Sequence, residues 1–273
     1  MRPDSEAIAV PPFPPATRWI GSEPPQVERI CASGPLVVHF VDVAHPSSVR
    51  TLPYLRGWAK GYRDAGLTVI GVNSPRFPFT ADPDKLAEAL ALLEVDFPVA
   101  SDPSYESWHT YGCEGWPSLF LWSKGGALRW YHFGEGEYRA TEEAIREELG
   151  GADLPEPMDA LRSTDAPGAI VAVPSDEVFP GGSISDPWVA TPDEPPIELD
   201  YEAGEAWASV DGSGSLTIGV DDAAPTRIEV TAPGAYRLAG HDRHEAHGLS
   251  VAATPGVAVH SIGFTAGVRE GST

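Results

Sequence analysis

The stretch LVVHFVDVAHPSSVR, residues 36–50, decides the fold that the sequence predicts. It begins with an apolar run over residues 36–40, which is typical of a buried strand. Pro46 stands where a helix is expected to begin, and its missing N–H removes no hydrogen bond at that position. Apolar residues then recur at helical spacing as far as Tyr62, Gly66 provides a stop, and LTVIGV at residues 67–72 is a second apolar run. The sequence therefore predicts two parallel strands joined by a crossover helix.

The remainder of residues 1–150 extends this α/β pattern in both directions. Residues 1–35 are rich in proline, and we expect an extended arm that Phe13, Trp19 and Ile20 anchor. After the second strand, we expect a helix over 84–93, a short strand over 97–100, a short helix over 105–111, a hairpin of 118–122 with 128–133, and a last helix capped by Thr141 that ends at Leu149.

The composition and the apolar pattern of the sequence change after residue 150. Residues 151–167 are polar and contain prolines, as expected of a linker. From residue 168 to residue 273, apolar residues mostly alternate with polar ones, and Gly, Pro and Asp turns separate the runs. This pattern predicts a small all-β sandwich or jelly roll. The predicted fold class is thus an α/β part over 1–150 followed by an all-β part over 168–273.

Composition limits the possible partners and compartment. The net charge is −22, from 40 acidic and 18 basic residues, which argues against nucleic acid or an anionic membrane as a partner. Residues 1–10 lack an apolar core of the kind found in signal peptides, and no stretch is long enough to span a membrane. We therefore expect a cytoplasmic protein. The only cysteines, Cys31 and Cys113, are expected to remain thiols there.

Four segments carry a family resemblance. They are VHF at 38–40 with RTLPYL at 50–55, VIGVNSP at 69–75, YGCEGWP at 111–117 and YHFGEG at 131–136. They resemble the TlpA/ResA-type thioredoxin-like proteins, and most of all the soluble part of the DipZ-like subgroup. The resemblance implies a thioredoxin fold in which the proline at position 117 is cis and faces the redox motif. It also implies a C-terminal β-domain similar to carbohydrate-binding modules, which SDPW at 185–188 and AVHSIGF at 258–264 resemble more loosely.

The chain departs from the family at the redox motif. The family has two cysteines, three positions apart, at the start of the first helix of the fold. Counting back from Arg50 places His45 and Ser48 at those positions. Disulfide exchange needs one thiolate to attack and a second thiol to resolve, and neither an imidazole nor a hydroxyl replaces them. The family's reaction therefore does not carry over to these two residues.

The leading hypothesis is a binding or scaffold protein whose redox centre has been lost. Its binding groove would be formed by His45, Ser48, Trp116, Pro117 and Glu135. Its partner would be a protein or peptide, or else a small molecule or glycan.

The alternative hypothesis is an enzyme of the thiol-disulfide oxidoreductase family with residual or altered activity. Its candidate catalytic residues are His45, Ser48 and Cys113. A helix N-terminus keeps an imidazole neutral, so His45 is a candidate base or ligand. Its simpler interpretation is a side chain left at the start of a helix, because no catalytic triad is visible around it. Cys113 is a lone cysteine, and such residues are more often inert.

The β-part has its own candidate residues. His241, His244 and His247 form an H-x-x-H-x-x-H motif, which we place in a hairpin loop between two strands. They are weak candidates for a zinc site, which needs further ligands; the sequence predicts no metal and no cofactor.

A third hypothesis assigns the function to the β-part alone. Trp188, Tyr201 and Trp207 are candidates for a sugar-stacking platform carried by an inert thioredoxin-like scaffold. Their alternative interpretation is the core of a small sandwich.

Overall fold

The structure is a computed structural model and describes residues 1–3, 8–151 and 153–269. It divides into two compact units. Unit 1 comprises Met1–Asp42, Ser47–Arg76 and Leu90–Ala160, and unit 2 comprises Val43–Pro46, Phe77–Ala89 and the chain from Leu161 onward. Among the described residues, no helix combines the length and the apolar character that crossing a membrane requires.

Unit 1 is built on a mixed six-stranded sheet. Its strands are β1 (Arg18–Ile20), β2 (Leu36–Val41), β3 (Thr68–Asn73), β4 (Val99–Ser101), β5 (Ser118–Trp122) and β6 (Leu128–Phe133), in the order β1-β4-β3-β2-β5-β6. The pair β2–β3 is parallel, which confirms the predicted crossover, and β5–β6 is the predicted antiparallel hairpin.

The described chain contains five α-helices. They are α1 (Val27–Ser33), α2 (Pro46–Gly61), α3 (Pro83–Leu92), α4 (Glu106–Tyr111) and α5 (Tyr138–Leu149). Of these, α3 lies mostly in unit 2. Two short 3-10 turns lie at Pro78–Ala81 and Ser163–Asp165. Helix α2 begins at Pro46, as the sequence predicts.

The N-terminal arm differs from the extended segment that we expected. It contains strand β1, which pairs antiparallel with β4, and helix α1. Phe13 anchors it as expected, because its ring lies 5.0 Å from that of Trp19 and 5.7 Å from that of Tyr111. The prolines conceal these elements in the sequence because they cluster before β1 and before α1 and not inside them.

The start of α5 was also predicted wrongly. The helix begins at Tyr138, after Glu137 in a left-handed conformation (φ 52°). Thr141 therefore lies inside the first turn, where its hydroxyl accepts a hydrogen bond from Trp130 Nε1 at 3.1 Å and caps nothing.

Unit 2 contains an antiparallel six-stranded sheet. Its strands are β7 (Trp188–Val189), β8 (Ile197–Gly212), β9 (Gly214–Val220), β10 (Thr226–Val230), β11 (Gly234–Ala253) and β12 (Val257–Thr265), in the order β10-β9-β11-β8-β12-β7. Trp188 pairs with Val259, so the two segments that resemble carbohydrate-binding modules lie on neighbouring strands. The predicted class, an α/β part followed by an all-β part, is confirmed.

The aromatic candidates of unit 2 divide between core and surface. Tyr201 is buried and stacks on Phe264, with ring centroids 4.9 Å apart. Trp188 and Trp207 are half-buried, and the indole of Trp207 donates to Glu205 at 3.0 Å. Tyr201 is therefore a core residue and not part of an open platform.

Candidate functional site

The first turn of α2 holds Ser48 inside the protein. The Ser48 side chain is fully buried, and its hydroxyl oxygen accepts a hydrogen bond from the Asp42 backbone N–H at 3.2 Å. Thr51 in turn donates its hydroxyl to the Ser48 carbonyl at 2.6 Å. These bonds join the end of β2 to the start of α2, so Ser48 has a structural role at the position where we placed a groove residue.

His45 lies in the segment Val43–Pro46, which belongs to unit 2. Val43 and Ala44 are fully buried, whereas His45 is half-buried. The Ala44 carbonyl accepts a hydrogen bond from the Ser209 hydroxyl on β8 at 2.7 Å. A Cβ atom at Gly263 on β12 would lie only 3.3 Å from Pro46 Cγ. The backbone before α2 is therefore packed tightly against strands of unit 2.

The Trp116–Pro117 peptide bond is cis, the isomer that the family resemblance implies. Pro117 is buried, and its carbonyl accepts a hydrogen bond from the Gly134 N–H at 2.7 Å. Trp116 is half-buried; its ring lies 4.3 Å from that of Trp108, and its Nε1–H donates to the Ser74 carbonyl at 2.8 Å. These contacts bring together the loops that follow β3, α4 and β6.

A buried carboxylate stabilises the same loop cluster. Asp102 follows β4 and is 4% exposed. It accepts hydrogen bonds from the Ser74 hydroxyl at 2.8 Å and from the backbone N–H groups of Ser107 and Trp108 at 3.0 Å each. Asp102 did not stand out among the candidates, although an aspartate shortly before a helix is a recognisable capping signal.

Neither cysteine is placed for thiolate chemistry. Both are free thiols. Burial raises the pKa of Cys113, and the hydrogen bond from Ser118 offsets only part of that effect. Burial also raises the pKa of Cys31, with a smaller contribution from the Glu28 charge. Because the thiolate is the reactive form, both residues are poorly suited to attack a disulfide.

Glu135 is paired with a buried arginine. Its carboxylate accepts a hydrogen bond from Arg50 Nε at 2.6 Å, and the two side chains are 20% and 4% exposed. Tyr138 OH also lies 3.5 Å from the same oxygen. Glu135 therefore ties the loop after β6 to α2, and its charge is largely balanced within unit 1.

The predicted groove residues are distributed over both units. Trp116, Pro117 and Glu135 belong to unit 1, whereas His45 belongs to unit 2. A groove that all of them form together, with His45 facing Pro117, stays a prediction.

The three histidines of unit 2 do not lie in the hairpin loop that we predicted, and that prediction is wrong. All three lie on the long strand β11. The rings of His241 and His247 stack 3.7 Å apart, with 14° between their planes. His244 instead lies with Nε2 3.4 Å from a Glu202 oxygen. Across the described ranges, no three His, Cys, Asp or Glu side chains are grouped so as to hold a metal ion.

The stacked histidines are hydrogen-bonded at both ends. His241 Nε2 lies 2.8 Å from Tyr201 OH, and His247 Nδ1 lies 2.7 Å from Asp221 Oδ2. The His247 hydrogen bond is the main cause that lowers the pKa of Asp221. Burial lowers the pKa of His241, and the neighbouring His247 lowers it further. Asp221 was not among our candidates, and only a contact across strands reveals it.

The chain resembles several known proteins in sequence. No family model matches it. It is 29% identical over 254 residues to the protein DipZ of Mycobacterium tuberculosis, a match that covers 79% of this chain and 36% of DipZ. The chain thus spans about a third of the length of that relative. It is 23% identical over 131 residues to the thiol-disulfide oxidoreductase YkuV of Bacillus subtilis, which covers 48% of this chain and 87% of YkuV.

Solved structures resemble about half of the chain. A thiol-disulfide isomerase from Corynebacterium glutamicum superposes with a TM-score of 0.49 at 20% identity, over 54% of this chain and 98% of that chain. In sequence, the chain is thus similar to DipZ over most of its length and to the thiol-disulfide oxidoreductase YkuV over about half of it.

Proposed function

We propose that this protein binds a protein or peptide partner through its thioredoxin-like unit and does not exchange disulfides. The observation that carries the proposal is the chemistry at the start of α2. His45 directly precedes Pro46, the first residue of the helix, and Ser48 lies in its first turn, at the positions to which the family resemblance assigns the redox cysteines. The chain contains no C-x-x-C sequence at any position.

The two remaining cysteines do not compensate for this change. Disulfide exchange needs an accessible thiolate and a second thiol that resolves the mixed disulfide. Burial raises the pKa of Cys113 and of Cys31, which lowers the thiolate fraction of both at neutral pH. This observation argues against the alternative in which Cys113 maintains a residual redox activity.

Dithiothreitol-driven insulin reduction tests the loss of redox activity. The purified chain is expected to precipitate insulin no faster than dithiothreitol alone, with YkuV as a positive control. The double variant His45→Cys/Ser48→Cys shows whether the unit accepts a cysteine pair at these positions. Clear catalysis of insulin reduction by the unmodified chain would refute the proposal.

Trp116 is the residue on which we expect a bound peptide to pack. It is half-buried beside Pro117, and aromatic side chains in such positions dominate protein interfaces. A fluorescent, reduced and carboxymethylated unfolded polypeptide is a suitable probe. Trp116→Ala is expected to weaken its binding about tenfold or more.

Trp130 provides a matched control for that substitution. It is also half-buried in unit 1, and its indole N–H is likewise hydrogen-bonded, to Thr141 at 3.1 Å. Trp130→Ala is expected to leave probe binding unchanged. Equal losses in both variants would indicate a general effect on folding and would count against a site at Trp116.

A glycan is the second candidate ligand, and an open groove in unit 2 favours it. The groove has a volume of about 420 Å³, and its polar lining residues include Glu198, Asp200, Asp221 and Ser250. Carboxylates and hydroxyls of this kind can pair with sugar hydroxyls. Glycan-array binding that Asp200→Ala abolishes would support this function, and silence on the array would remove it.

The proposal also includes a cytoplasmic location. A reducing compartment would maintain both cysteines as free thiols. Fractionation of the native host with an antibody against the chain tests the location, and recovery in an extracytoplasmic fraction would refute it.

A further inference from the structure

A small cavity lies in unit 1 between the sheet and helices α2 and α5. Its lining includes His39 of β2, Thr51 and Trp58 of α2, His132 of β6, and Tyr138 of α5. His39 and His132 both pair with Leu119 of β5, so the two histidines lie in one row across the sheet. Residues in one row project from the same face, and here they stand two strand spacings apart, roughly 10 Å.

Three of the lining residues each have a polar atom that lacks a protein partner. Trp58 Nε1, His39 Nδ1 and His132 Nε2 are all shielded from solvent, and none forms a hydrogen bond with any residue that the structure describes. His39 and Trp58 are each 1% exposed. Buried polar atoms in native proteins are almost always hydrogen-bonded, so three unpaired atoms around one cavity call for a common partner.

The protonation of the histidines defines what that partner must offer. Burial lowers the pKa of His39 to about 3, so its ring is neutral at physiological pH. Burial also lowers the pKa of His132, against a smaller opposing effect of a hydrogen bond to the Glu135 backbone. Since Nε2 has no partner, that bond uses Nδ1–H, and Nε2 is a bare acceptor. Trp58 Nε1–H can only donate.

We propose that this cavity is a binding site for one ordered water molecule, which accepts a hydrogen bond from Trp58, donates one to His132 and is hydrogen-bonded to His39 Nδ1. The space open to a water centre is about 10 Å³. One water needs roughly 10–15 Å³ by this measure and two to four polar partners, so both the size and the polarity of the cavity fit.

A metal ion does not fit the same donor set. An indole N–H has no lone pair to offer a cation, and only two imidazoles remain. Water matches the set because it accepts and donates at once. The bound water joins β2, α2 and β6, and it is thus a structural component of unit 1.

Water-selective NMR of the intact protein tests the proposal. A rotating-frame cross-peak is expected between a long-lived water and the Trp58 Nε1–H, with the signal assigned by Trp58→Phe. Trp116 is the control, because its Nε1–H is already hydrogen-bonded to the Ser74 carbonyl at 2.8 Å. A missing cross-peak at Trp58, or an equal one at Trp116, would overturn the proposal.

A high-resolution crystal structure of the unmodified protein is the second test and depends on no variant. Density is expected within about 2.7–3.2 Å of all three nitrogen atoms. A cavity without density, a different occupant, or rings turned so that the three atoms pair with protein groups would each refute the site.

Discussion

The Ser209 hydroxyl donates a hydrogen bond to the Ala44 carbonyl at 2.7 Å, and both residues are fully buried. Ser209 lies in the middle of β8, and Ala44 lies two residues before the start of α2. Ser261 of β12 donates to the same Ser209 oxygen at 3.1 Å. A chain of two hydroxyls therefore holds the backbone two residues before the start of α2.

Removing the Ser209 hydroxyl should destabilise unit 2. Ser209→Ala leaves a buried carbonyl short of a donor and is expected to lower the free energy of unfolding by about 1 kcal/mol. Urea unfolding followed by circular dichroism measures the change. Ser213→Ala, at an exposed position next to the end of β8, is the control and should have no measurable effect. Equal stability of the two variants would show that the hydroxyl contributes little.

The sequence predicted the part of the fold that local patterns encode. Strands β2 and β3 are continuous apolar runs, and the helix between them has a proline at its first position. The middle of strand β11 was predicted as a loop because it is rich in glycine, histidine and charged residues, which are typical of turns. Register shifts in its pairing with β8, between Gly240 and Glu245, accommodate these residues within one strand.

The site depended on contacts that no local pattern encodes. Ala44 and Ser209 are 165 positions apart, and Arg50 and Glu135 are 85 apart. The family resemblance was sufficient to predict the cis isomer of the Trp116–Pro117 bond. It did not reveal that Ser48 would be buried and bonded to the backbone of Asp42, because that bond depends on how β2 ends.

The thiols are expected to react slowly in the folded protein. Burial raises the pKa of Cys113 and of Cys31, so the thiolate fraction of each is depressed. Modification by Ellman's reagent at pH 8 should be at least about tenfold slower in the native protein than in the chain unfolded in guanidinium. Cys31→Ser and Cys113→Ser separate the two contributions. A native rate close to the unfolded rate would reopen Cys113 as a redox residue.

The boundary between the units should be the first site of proteolysis. The first half of the predicted linker is held in unit 1, where the Met158 N–H donates to the Glu142 carboxylate at 3.1 Å. Unit 2 resumes at Leu161, and Arg162 is the only tryptic site between Arg146 and Arg227. Limited trypsin treatment is therefore expected to cut first after Arg162.

Mass spectrometry of the products checks this cut. The expected fragments are residues 1–162 and 163–273, and Arg162→Gln should abolish them. A chain that resists cleavage there, or that is cut first within a strand, would contradict an accessible boundary at Arg162.

Asp102 should be essential to the stability of unit 1. Asp102→Ala leaves the Ser74 hydroxyl and two backbone N–H groups without their acceptor, with an expected loss of about 3 kcal/mol in the free energy of unfolding. Asp96→Ala is the matched control, since Asp96 is 60% exposed and lies 3.9 Å from Arg63; it should cost less than about 0.5 kcal/mol. Chemical unfolding compares the two, and a smaller effect at Asp102 would refute its role as an anchor.

Acid should weaken unit 1 through His39. The pKa of this buried imidazole is lowered to about 3, whereas an exposed histidine titrates near 6.5. Between these values the unfolded chain binds a proton that the folded chain does not, so the free energy of unfolding falls as the pH decreases below about 6.5. The slope approaches about 1.4 kcal/mol per pH unit and ends near the folded pKa.

His39→Leu should flatten that dependence. Whatever the substitution costs at pH 7, the difference in unfolding free energy between the native protein and the variant is expected to shrink between pH 6.5 and pH 4, because only the native protein loses the His39 contribution. Urea unfolding at pH 7, 6, 5 and 4 measures it. His109→Leu removes an exposed histidine of the same unit and should follow the native profile. Parallel profiles for the native protein and His39→Leu would show that His39 titrates normally and that its burial does not hold it neutral.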